Sequence, residues 1–194
     1  MKRIAAAISL LATSLTSVAA ASETGFFAPE VDGEVWADIS KYREPSLFKP
    51  GALDGYRSRF RLSISGISCR EVVIRIDERD DGSIRGRKVT GNKCQGRRSD
   101  YVTRNFTITA AQMLELRNAM ADAALWTYFP EFWASKNSDE ICLDGNQLVF
   151  ERANRDGYRI SLANAQCTTT PKLRAVAEKF IEIAHADSAR ELLK

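Results

Sequence analysis

The chain is 194 residues long, with 28 Lys and Arg against 25 Asp and Glu and a formal net charge of +3. Lys2 and Arg3 supply two of those charges within a leader-like start, so the rest is close to neutral. That excludes a protein held to nucleic acid by bulk phosphate neutralisation, while 44% hydrophobic residues exclude a disordered chain and suit one domain with a real core.

Residues 1–21 read as a secretory signal peptide. Lys2 and Arg3 form its basic start, Ile4 to Leu15 a short apolar stretch, and Ala19-Ala20-Ala21 the small residues that place cleavage near Ala21/Ser22. The apolar stretch is too short to span a bilayer, which takes about 20 residues, and no cysteine follows it to carry a lipid. The expected product is a soluble, monomeric protein of the periplasm or the extracellular space. Four cysteines in such an oxidising compartment are most simply two disulfides.

Residues 22–56 carry three basic and seven acidic side chains, with Phe26, Phe27, Trp36, Tyr42, Leu47 and Phe48 spaced without clean periodicity. They are too aromatic for a solvated tail and are expected to lie as an acidic arm, with one short helix, over a single α+β domain at 57–194. Arg57 to Ile64 alternates, with Phe60, Leu62 and Ile64 on one side, and predicts a half-buried strand. Residues 57–104 are the basic part of the chain, thirteen cations against six anions.

The cysteines fall in two pairs of identical spacing, Cys69 to Cys94 and Cys142 to Cys167, each bracketing a hairpin pattern. Three connectivities are open by count, and the turns favour these two. In the first bracket, Glu71 to Ile76 alternates and leads to Asp80-Asp81-Gly82. A two-residue Asp81-Gly82 loop pairs Ile74 with Val89, Arg75 with Lys88 and Cys69 with Cys94. In the second, Leu148 to Arg152 and Tyr158 to Leu162 flank Asn154-Arg155-Asp156-Gly157. A three-residue loop with Gly157 as a bulge pairs Phe150 with Ile160 and Leu148 with Leu162, and leaves Cys142 facing Thr168, one position from Cys167.

Residues 91–100 read as a loop and Tyr101 to Ile108 as a short strand. Thr109-Ala-Ala-Gln112 is a capping box opening a helix over about 110–125, with Met113, Leu116, Met120 and Ala124 on its core side. A second helix, over about 171–185, opens at Thr170-Pro171 and repeats Leu173, Val176, Ala177, Phe180, Ile181 and Ala184 at helical steps. The expected class is α+β: a mainly antiparallel sheet of two disulfide-bracketed hairpins plus flanking strands, packed by two helices. Each hairpin precedes a helix, which raises a duplicated β-β-α unit as a possibility.

The run from the Thr109 helix through Trp126 and Pro130, then Leu143-Asp144-Gly145, Glu151, Tyr158 and the last helix resembles a family of bacterial exported domains of unassigned activity. The resemblance covers roughly residues 57–184. Many of those relatives have Trp where this chain has Leu148, and they generally lack these cysteines. It implies an α+β domain outside the cytoplasm and brings no activity with it.

No catalytic constellation assembles from the remaining residues. His185 is the only histidine, and no G-x-S-x-G accompanies it. Glu131, Asp139, Glu140 and Asp144 fit no calcium loop, the cysteine spacing fits no zinc site, and no metal or cofactor is expected. Phe132 and Trp133, in an aromatic linker, suit an exposed patch. The basic residues Arg75, Arg79, Arg85, Arg87, Lys88, Lys93, Arg97 and Arg98 concentrate on the first hairpin and the loop after it. Either the acidic arm neutralises them internally or they take an anionic envelope component or protein partner. The expected function is non-enzymatic, a binding or inhibitor-type protein; the alternatives are an envelope-polymer hydrolase using the linker carboxylates, or an accessory domain without a ligand.

Overall fold

The computed structural model describes residues 25–33, 35, 39–66, 68–92, 94, 101–127, 145–166 and 171–194. Residues 1–21, where a signal peptide is expected, and the second cysteine pair, Cys142 and Cys167, lie outside the described residues. Six strands, β1 (Tyr56–Gly66), β2 (Arg70–Arg79), β3 (Ile84–Asn92), β4 (Val102–Thr107), β5 (Asn146–Asn154) and β6 (Gly157–Asn164), form one antiparallel sheet in the order β4-β3-β2-β1-β5-β6. Helices α1 (Ala110–Asp122) and α2 (Pro171–Ile183) pack on one face, followed by a 3-10 turn at Asp187–Leu193. The fold is α+β, as the patterning implies.

Both hairpins close one residue away from the expected register. In the first, the loop holds three residues, not two. Gly82 takes φ +81°, its N–H donates to the Arg79 carbonyl at 3.0 Å, and the Asp81 carboxylate accepts from the Ser83 amide (2.9 Å) and hydroxyl (2.7 Å). This is a turn finished by a left-handed glycine. Val73 therefore faces Val89, Ile74 faces Lys88, and Arg75 faces Arg87 rather than Lys88. In the second hairpin the loop shrinks to Arg155-Asp156, because Gly157 at φ +107° enters the strand itself and the Asn154 side chain grips Asp156. Phe150 then faces Ser161, and Leu148 faces Ala163. The Cys69–Cys94 disulfide forms across a Cα–Cα distance of 5.1 Å, with Cys94 beyond the last residue of β3, so the irregular end absorbs the changed register.

The helix side is an apolar layer. Phe60, Leu62 and Ile64 of β1, Ile74 and Ile76 of β2, and Leu148 and Phe150 of β5 meet Leu116 of α1 and Val176 and Phe180 of α2. The Thr109–Gln112 capping box is formed. Helix α1 ends at Asp122, short of the expected Leu125, because Ala124 turns to φ +47°; Ala123 is buried in its place. Helix α2 stops at Ile183, and His185 follows at φ +49° with its carbonyl accepting from the Lys88 ammonium.

The other face is covered as well. Phe27, Val31, Ile39 and Tyr42 from residues 25–56 form a second apolar cluster with Val73, Val89, Val149 and Leu162 of four strands. Burial on both faces explains why β1 is buried at every position from Ser58 onward although its sequence alternates. The alternate positions carry Arg59, Arg61 and Ser63, so the layer beneath the arm is partly ionic. Lys41 pairs with Glu71 at 2.7 Å, and Glu44 places its carboxylate between Arg75 and Arg87. Glu44→Ala is expected to cost about 2–3 kcal/mol, the value of a charged hydrogen bond whose partners stay behind. Limited proteolysis should then cut within 39–56 before it cuts the sheet, and an unchanged cleavage pattern would show that Glu44 does not anchor the arm.

Candidate functional site

Arginine is concentrated on the arm side of β2 and β3, near the Asp-Gly turn. Residues two apart on a strand share a face, so Arg75, Asp77 and Arg79 align on β2, with Arg85 and Arg87 beside them on β3. Asp77 faces Arg85 and Arg75 faces Arg87 across the pair, while Asn105 and Thr107 of β4 flank the same two arginines. Together with Tyr56 they line an open groove of about 410 Å³.

The carboxylates here are already engaged. Asp77 receives Arg59 at 2.8 Å and Arg75 at 2.9 Å. Glu44, 1% exposed at its side chain, receives Arg75, and the Arg87 Nε stands 3.2 Å from its other oxygen, near enough for charge but off hydrogen-bond geometry. Arg87 also donates to the Tyr42 carbonyl at 3.2 Å. Arg59 lies 4.2 Å over the Tyr56 ring, and Arg79 lies 5.8 Å from it. Arg79 and Arg85 are exposed, and among the described residues neither forms an ion pair. Burial disfavours the Arg75 charge, but Glu44 and Asp77 outweigh it and raise its pKa, so that guanidinium is a fixed cation. Five guanidiniums meet two carboxylates within the groove, and the exposed Asp81 at the turn, its pKa lowered by hydrogen bonds from Ser83 and by Arg79 and Arg85, is a third nearby.

The structure brings together Arg85 and Arg87 but separates them from Lys88, which projects to the helix side and donates to the His185 carbonyl. Burial and the neighbouring Arg104 lower the Lys88 pKa, with Asp187 opposing. Lys93, Arg97, Arg98, Phe132, Trp133 and the carboxylates Glu131, Asp139, Glu140 and Asp144 lie outside the described residues. Tyr56 and Arg59 were not legible as site residues. Their only signal is alternation, Arg59 following the Arg57-x-Arg59-x-Arg61 rhythm of β1.

Among the described residues no group of histidine, cysteine and carboxylate side chains could hold a metal ion, and no helix is long and apolar enough to cross a membrane. The chain matches no protein-family model, and no curated protein is similar to it, so the arginine groove is read from its own chemistry.

Proposed function

We propose that this is an exported, non-enzymatic binding protein that takes an acidic segment of a protein partner in the arginine groove of β2, β3 and β4. The observation that carries this reading is the contrast within one groove. Arg75 and Arg87 have a buried counter-charge supplied by Glu44 from the same chain, whereas Arg79 and Arg85 face solvent and, among the described residues, have no ion pair, with the exposed Asp81 of the turn as a nearby charge. Export is supported by the leader-like residues 1–21 and by the disulfide at the far end of the hairpin. That staple restrains β2 and β3, so presenting the arginines costs little ordering on binding.

The test compares the wild-type protein with Arg79→Ala/Arg85→Ala as bait in extracts of the native envelope. A protein retained by the wild type should be lost by roughly tenfold or more on the variant, the loss of two charge-assisted contacts. It should also elute as salt rises past about 0.15 M, where the Debye length falls to about 8 Å. Equal retention by both baits overturns the reading. Retention of an anionic glycan or lipid instead of protein overturns the choice of partner.

A further inference from the structure

The two edges of the sheet differ. Strand β6, at one edge, is buried from Ser161 to Asn164. Strand β4, at the other, is exposed at every residue from Val102 to Thr107 except Phe106, which is half-buried. It pairs with β3 in an unbroken register, from Thr90 opposite Val102 to Arg85 opposite Thr107. Among the described residues no other backbone bond reaches it, so its alternate N–H and C=O groups face outward unpaired. Such an edge is a template for a further strand.

The bare edge is nevertheless firmly seated. The Phe106 ring covers Gly86 and the Tyr101 ring covers Gly91, each filling the space where a Cβ would stand. Phe106 packs against the helix-side core, and Tyr101 meets the Tyr42 ring edge-on at 4.6 Å. Both aromatic rings therefore turn inward onto β3, which leaves the outer flank unobstructed. Proline and bulges, which commonly spoil an edge, are absent from β4. A strand already ordered in this way loses little freedom when another joins it.

Charge selects the occupant. Strands β3 and β4 carry Arg85, Arg87, Lys88 and Arg104 and no acidic residue. Of the carboxylates nearby, Glu44 is buried against Arg75 and Arg87, Asp77 is held by Arg59 and Arg75, and Asp187 pairs with Arg190 at 3.3 Å. Two copies of the chain meeting edge to edge would set four cations against four more, which disfavours a second copy. We propose that β4 takes an extended acidic segment of a partner protein as a seventh strand, its backbone bonded to the open edge. The segment's alternate side chains stand beside Thr103, Asn105 and Thr107, one strand beyond Arg85 and Arg87. That strand lies about 9–10 Å from β3, a gap that a Glu and an Arg side chain span together. The side-chain contacts rest on the groove reading above; the backbone bonds do not.

The test titrates the whole chain with an end-capped peptide of about eight residues alternating Glu and Thr, long enough to cover β4. Binding is followed by calorimetry and by amide hydrogen exchange. The amides of β4 that β3 leaves unpaired should exchange fast in the free protein and slow by roughly tenfold or more at saturation. N-methylation of every peptide bond keeps the charge and removes the donors, and should weaken binding by roughly tenfold or more. A peptide with Lys in place of Glu should not bind. Failure of the Glu peptide to bind, equal binding of its methylated or Lys form, or unchanged exchange in β4 overturns the proposal. Binding that leaves β4 exchange unchanged but is lost in Arg79→Ala/Arg85→Ala ends the seventh strand and keeps the groove reading. Protection of β4 that is undiminished in that variant ends the groove reading and keeps the seventh strand. Protection of the same amides that grows with protein concentration, without peptide, assigns the edge to a second copy and overturns the choice of partner.

Discussion

Replacing Glu151 by Ala is expected to lower the unfolding free energy by about 3–5 kcal/mol, the cost of leaving one member of a fully buried ion pair behind. Both Arg61 and Glu151 are 0% exposed at their side chains. The carboxylate receives the Arg61 Nε at 2.5 Å and NH2 at 2.7 Å, in the two-pronged geometry that suits guanidinium to carboxylate. The Tyr158 hydroxyl adds a third bond at 3.0 Å; burial, reinforced by Glu151, pushes its pKa well above the usual range and keeps it a donor. Without Glu151 the guanidinium retains the Pro45 carbonyl at 2.7 Å and the Phe26 ring at 5.0 Å, neither of which carries a charge. Urea denaturation should show the midpoint fall with the slope unchanged. The triple change Arg61→Met/Glu151→Leu/Tyr158→Phe should recover most of the loss, because no charge or hydroxyl is then stranded. A cost below about 1 kcal/mol for Glu151→Ala would mean that water reaches the pair, contrary to its burial.

The second large effect belongs to the Cys69–Cys94 bridge. With a separation of 25 residues, removing it by Cys69→Ser/Cys94→Ser should cost about 3–4 kcal/mol through the greater freedom of the unfolded chain. For a chain of this size the melting temperature should drop by roughly 6–16 °C. Hydrogen exchange tells this apart from a local effect. If the bridge acts on the unfolded state, protection at Ile74 and Ile76 falls with global stability. If it only pins the ends of β2 and β3, faster exchange stays confined to Arg70–Val72 and Thr90–Asn92 and the expectation fails.

Elements that rest on local chemistry were readable from the residues alone: the Thr109–Gln112 cap, the α2 stripe and the Phe60-Leu62-Ile64 face. Register was less so, since it depends on how many residues each turn consumes. Asp81-Gly82 fits a two-residue loop and also the last two positions of a three-residue one, and only the side-chain bonds of Asp81 to Ser83 decide between them. That one residue moves Lys88 out of the arginine groove and brings Arg87 opposite Arg75. Arg87 was a good candidate for contact with something acidic, but its partner, Glu44, is an arm residue 43 positions earlier. Glu151 gave no sign of its role because its partner is 90 residues away in sequence. Long-range pairing of charges leaves no periodicity to detect.

The arm has a consequence for the order in which the molecule assembles. It precedes every strand in sequence, yet its apolar residues rest on Val149 and Leu162, and Phe26 and Pro45 meet Arg61 where Glu151 holds that side chain. Strands β1, β2 and β3 can pair locally, but the arm's seat is incomplete until β5 and β6 have joined β1. Contacts so distant in sequence form slowly, because the intervening chain must first be ordered. Residues 25–56 are therefore the last to settle, closing over a sheet already built from the strands that follow them in sequence.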